Sequence, residues 1–161
     1  MALLDYFLTL KLRQAGQVKG DCVSPGFEEH IEIQAYSWGE IFGEGQSGQT
    51  GRVQMQNFHF CMSANRASTV LMLGCAQGDP VDEAVLKCCR DAAGGKQVFM
   101  SWTLKEGVVA SYHTGGGSGD VMPTDMFEIK FKSIAVEYRP KGADGSLGSP
   151  LSALYDLGRG K

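Results

Sequence analysis

The chain has little of what marks several protein classes. It carries no block of one charge: 15 Lys and Arg stand against 18 Asp and Glu, for a formal net charge of −3. That leaves no basic patch of the kind that recruits DNA, RNA or an anionic membrane. No run approaches the ~18 apolar residues of a membrane span, so no membrane insertion is expected. The start, MALLDYFLTLKLRQ, has an acid at Asp5 and neither a basic leader nor a small-residue cleavage site. It does not read as a Sec-type signal peptide, so the expected place of work is the cytoplasm, or outside the cell by a leaderless route. The cysteines Cys22, Cys61, Cys75, Cys88 and Cys89 make an odd count with no CxxC spacing. The usual zinc and disulfide frameworks are therefore not expected, and the cysteines read as reduced, mostly buried thiols. Cys88 and Cys89, adjacent on a predicted strand, should point to opposite faces. Proline is scarce at 5 residues, and no long helical periodicity is present.

What is plentiful is glycine, at 22 of 161 residues, about twice the average share of roughly 7%. The length suits one domain with a proper core, taken as residues 1–161 with no further effector segment. Many turns between short strands make an all-β or mostly-β domain the expectation.

The segment 29–52, EHIEIQAYSWGEIFGEGQSGQTGR, organises the rest. Ile31, Ile33 and Ala35 alternate with Glu32 and Gln34, as on a strand with one buried face. The chain then enters a loop with Gly39, Gly43, Gly45, Gly48 and Gly51. So glycine-rich a loop packs no core; it either cradles a ligand or reaches another protein.

Elsewhere, Leu4, Tyr6, Leu8, Leu10 and Leu12 alternate on one strand. Residues 52–62 change apolar parity near Gln56-Asn57, and residues 125–139 change at Lys132-Ser133, which predicts two β-bulges. Residues 63–77 form the one predicted helix, with Ser63 as N-cap, Ala67, Val70, Leu71 and Gly74 facing inward, and Gly78 as the stop. Leu73 and Cys75 widen that apolar side and predict a well-covered helix. Strands are predicted at 81–90, 97–105 and 107–113, with a turn over residues 92–95. Two bulges, one helix and evenly spaced strands point to a compact closed β-barrel of antiparallel strands with long glycine-rich loops. The tail carries an apolar group, Leu151, Leu154, Tyr155 and Leu157, placed to dock on a neighbour.

Catalytic signals are weak. Gly43–Thr50 follows the outline of a phosphate-binding loop, G-x-x-x-x-G-K-[ST], with Gln49 in place of the lysine that reaches the phosphates. Such a loop should open into a helix N-terminus, whereas RVQMQ alternates as a strand. His59 and Cys61 share a strand face but lack any accompanying oxyanion feature, and they read as an ordinary half-buried pair. No catalytic residue, cofactor site or metal site is assigned. A small nucleotide-binding or enzymatic barrel using the Gly43–Thr50 loop stays open as the alternative.

The motifs AYSWGE (35–40), GRVQMQNFHF (51–60), LMLGCAQG (71–78), TLKEGVVASYHTGG (103–116) and VEYRPKGADG (136–145) resemble the Hcp family. These hemolysin-coregulated proteins are the tube subunits of bacterial type VI secretion systems. The resemblance covers nearly the whole chain in order, and ASYHTGG with Y-x-P-x-x-A-D-G is specific in combination. It implies a β-barrel with one side helix, assembled into hexameric rings that stack head to tail as a hollow tube, similar to phage tail tubes. The implied partners are a contractile sheath, a spike protein at the tip and small secreted effectors carried in the lumen. Export would occur by firing from the cytoplasm, without a signal peptide. By the same resemblance, Ser37 contacts effectors at the lumen surface. The ring-stacking loop is Gly39, Glu40, Phe42, Gly43, Glu44, Gly45, Gln46, Ser47, Gly48, Gln49, Thr50, Gly51 and Arg52. Strict alternation puts Ser37 on the face of Ile31 and Ile33. Either a bulge intervenes near Tyr36, or the two isoleucines face a subunit joint.

Overall fold

Alternating sequence becomes paired strand nearly everywhere in the computed structural model, which describes residues 3–43 and 51–161. In chain order the elements are β1 (Leu4–Leu12), β2 (Gly16–Val18), β3 (Ile31–Ile33), β4 (Ala35–Ser37), β5 (Glu40–Gly43) and β6 (Arg52–Met55). They continue with β7 (Phe58–Ser63), α1 (Ala67–Gln77), β8 (Pro80–Ala92), β9 (Gly95–Gly115), β10 (Thr124–Lys130), β11 (Ser133–Tyr138) and β12 (Leu151–Asp156). All but β5 and β6 join one sheet along the path β2-β1-β8-β9-β10-β7-β4, with β3 on β1, β11 on β9 and β12 on β11. The fold is mostly β, antiparallel, with one helix among the described residues, as expected.

The expected closed barrel is instead a curled sheet whose ladder does not close. Segment 31–37 spans the gap. Its first half, β3, pairs with β1, and its second half, β4, pairs with β7. The handover falls at Gln34, whose N–H donates to the Cys61 carbonyl at 2.8 Å.

Both predicted bulges are strand breaks. Parity changes at Gln56-Asn57 because the chain leaves the two-stranded β5–β6 sheet and enters the main one at β7. It changes near Lys132-Ser133 because β10 pairs with the second half of β9 and β11 with the first. The strands predicted at 97–105 and 107–113 are one strand, β9, with a corner where Glu106 takes φ 53°. At that corner a Cβ on Gly107 would stand 2.1 Å from the Lys130 carbonyl oxygen, so the close crossing needs glycine. A register shift does occur between Cys88 and Cys89. Both thiols are buried and all five cysteines are free.

The inner face carries the core, including Leu8, Leu10, Ile31, Phe58, Phe60, Met62, Leu86, Leu104, Phe127 and Ile129. Phe60 stacks on Phe127 and on Phe58, with centroids 5.0 Å apart in each pair. Phe7, on the opposite face of β1, joins Cys22, Phe27 and Cys89 in a second, smaller cluster. Helix α1 begins at Ala67, not after Ser63, which ends β7; Asn65 Oδ1 accepts from the Ala67 N–H at 2.8 Å. It stops at Gly78, in the left-handed region at φ 64°, as predicted. Ala67, Leu71 and Gly74 are buried, but Met72 and Leu73 are half exposed, so the helix is less covered than its sequence implies. Strand β12 is an edge strand: Tyr155 packs on the core while Leu151 and Leu154 stay exposed.

Candidate functional site

Ser37 ends β4 and faces outward. After Ile33 points inward, Gln34 and Ala35 are both exposed and Tyr36 turns back toward the core. This shift of one residue resolves the parity conflict in favour of an irregularity before Tyr36, because Ile31 and Ile33 are both buried in the core. Register then brings together side chains far apart in sequence. Ser37 pairs with His59, His59 with Glu128, and Glu128 with Ser111, so one row crosses β4, β7, β10 and β9. The next row is Ala35, Cys61, Met126 and His113. Together they line a groove of about 350 Å³ on the outer face of the sheet.

The polar row is wired through Glu128. The Ser111 hydroxyl donates to one carboxylate oxygen, and His59 Nε2 lies 3.2 Å from the other. Chiefly the Ser111 hydrogen bond, helped by His59, Asn57 and His113, holds the Glu128 carboxyl below the usual range against the opposing effect of burial. His59 thus faces Glu128 and makes no hydrogen bond to Cys61, whose thiol points to Gln34 Oε1 at 3.9 Å. On the inner face of the same strands, Asp125 is buried and accepts from the hydroxyls of Ser68 and Tyr112.

The loop after Ser37 is built as an arm. Trp38 Nε1 donates to the Gln56 carbonyl and the Gln56 N–H to the Gly39 carbonyl, both at 3.0 Å. Beyond this clasp β5 and β6 pair from Glu40↔Met55 to Gly43↔Arg52 as a separate two-stranded sheet. Ile41 and Phe42 on the arm are 64% and 71% exposed. Gly39, Glu40, Phe42, Gly43, Gly51 and Arg52 therefore lie on one ribbon or at its base. Glu44, Gly45, Gln46, Ser47, Gly48, Gln49 and Thr50 lie outside the described residues. The stretch that follows is strand β6, so no helix N-terminus stands behind the Gly43–Thr50 motif to receive a phosphate. Among the described residues, no three His, Cys, Asp or Glu side chains gather as a metal requires. No helix there is long and apolar enough to cross a membrane.

Ser37 was named from the resemblance and His59 only beside Cys61; neither was joined with Ser111 and Glu128 in one row. Each sits at an outward position of a strand, His59 between Phe58 and Phe60 and Glu128 between Phe127 and Ile129. Alternation gives the face, while only register gives the row.

Comparison with known proteins places the chain in a family. The family model described as "Type VI secretion system effector, Hcp" matches residues 7–138. Protein hcp1 of Pseudomonas aeruginosa is 33% identical over 148 residues, covering 88% of this chain and 91% of that protein. A solved type six secretion system protein superimposes with a TM-score of 0.84 at 23% identity, covering 99% of both chains. Hcp1 from Salmonella typhimurium does so with 0.76 at 22% identity, covering 98% of both chains. The two structures speak for the fold; the sequence relative and the family model carry the assignment. The chain belongs to the Hcp family of the type VI secretion system.

Proposed function

We propose that this protein is the repeating subunit of a hollow secretion tube: a non-enzymatic chain that forms hexameric rings, stacks them head to tail and is itself exported by firing. The arm carries this reading. A paired ribbon standing apart from the main sheet, with exposed Ile41 and Phe42, has apolar surface that a single chain leaves uncovered. A contact between unlike surfaces repeats without limit when its geometry does not close, which is how rings become a tube. In this assembly residues 39–52 reach the adjacent ring, and the outer groove with Ser37 faces the lumen and holds small effectors. A contractile sheath surrounds the tube and a spike protein tips it.

Light scattering after size exclusion, with negative-stain images of the peak, tests the proposal. Open rings with a mass near six times 17.3 kDa are expected. A monomer at high concentration would refute the ring. The nucleotide alternative is checked by thermal shift with millimolar Mg-ATP or GTP. Micromolar binding would add about 4 kcal/mol of apparent stability, and no shift is expected.

A further inference from the structure

Among the described residues the groove around Ser37 contains one carboxylate, Glu128, fixed between Ser111 and His59. The other ionisable groups lining it are Tyr36 from β4, His59 and Cys61 from β7, and His113 from β9. Among the described residues no lysine or arginine lines the groove, so apart from the imidazoles its formal charge is the negative one of Glu128. Beside this polar row runs that of Ala35, Cys61, Met126 and His113, in which Met126 is 52% exposed and offers apolar surface. Rows two residues apart on a strand are separated by roughly 7 Å. A ligand that satisfies both therefore presents a cation about one side-chain spacing from an apolar group.

Resting on the reading of this groove as the cargo face, we infer that it selects polypeptide segments in which a lysine or arginine stands beside a leucine or methionine, the cation meeting Glu128 and the apolar side chain lying on Met126.

The test uses the intact protein and three capped peptides, Ala-Leu-Lys-Leu-Ala and its analogues with glutamine or glutamate in place of lysine. Binding is read from the methyl resonance of Met126. At about pH 7.5 the lysine peptide should bind at least about threefold more tightly than either analogue. Glu128→Gln should erase that preference, and Glu128→Asp should retain part of it, with unchanged circular dichroism excluding misfolding. If all three peptides moved Met126 equally, the charge selection would be overturned while the cargo groove stood. If none moved it, selection and cargo groove would both fall, whatever the ring images showed.

Discussion

Replacing Phe42 with aspartate separates the stability of the chain from the stability of its assembly. Phe42 is not among the core side chains; its ring lies beside Gly51, where an added Cβ would meet the phenyl edge at 2.5 Å. An exposed substitution of this kind should change folding stability by no more than about 0.5 kcal/mol. The effect on stacking is larger. Fully burying a phenylalanine is worth about 1.5–3 kcal/mol, and 71% of this residue is exposed in the single chain. Cover by a neighbouring ring would therefore supply about 1–2 kcal/mol per arm. Six arms act at each ring–ring joint in the proposed tube, so the joint loses on the order of 6–12 kcal/mol from one substitution. Thermal melting, light scattering and negative-stain imaging of Phe42→Asp, with immunoblots of culture supernatant, read the terms separately. Expected are an unchanged melting temperature, intact single rings, no stacked tubes and reduced export. Tubes of normal length would refute the stacking role. A clearly lowered melting temperature would show that the arm supports the fold itself.

Two further predictions concern the fold. Gly107→Ala forces a Cβ against the Lys130 carbonyl oxygen. It should cost about 1–3 kcal/mol and lower the melting temperature by roughly 2–12 °C. Gly94→Ala, where nothing lies within 4 Å, is the control, and equal melting temperatures for the two variants would defeat the argument. Burial pushes the thiols of Cys88 and Cys89 up from the ordinary 9 to about 11. Because these folded-state values are raised, the stabilisation is complete below pH 9 and is lost as pH rises towards 11, at about 2–3 kcal/mol for one thiol. Urea melts across that window should show the decline and Cys89→Ala should lessen it. A flat wild-type profile would contradict the assignment.

The parts of the fold legible in the sequence were those decided by local pattern. The alternation of Leu8, Leu10 and Leu12, the glycine stop at Gly78 and the turn after Ala92 all reappear in the structure. What alternation could not convey was the reason for a change of parity. A strand that bulges and a chain that leaves one ladder for another produce the same switch in sequence, and both switches proved to be of the second kind. The helix start was misplaced for a related reason. Ser63 is an acceptable N-cap by type, but it is already used as the last residue of β7, opposite Thr124. The row through Glu128 was illegible because it depends on three separate registers, each set by long-range pairing.

The break at Gln34 is the point on which fold and proposed function meet. Had the alternation of Ile31 and Ile33 continued, Ser37 would have pointed into the core and segment 31–37 would have paired with one neighbour only. The irregularity instead lets β3 cover β1 and β4 cover β7, and it turns Ser37 out beside His59 in the same step. One residue later, Trp38 sets its ring among Phe58, Trp102 and Phe131 and clasps Gln56 through its indole N–H. The arm thus leaves the sheet from a base packed on the core, although its own exposed residues contribute nothing to that core. Ser37 in the groove and Trp38 at the base of the arm are neighbours in the chain. A load on the arm in the proposed tube would reach the packed aromatic residues through Trp38 before it reached Ser37, so the core would shield the groove from the proposed ring–ring contact.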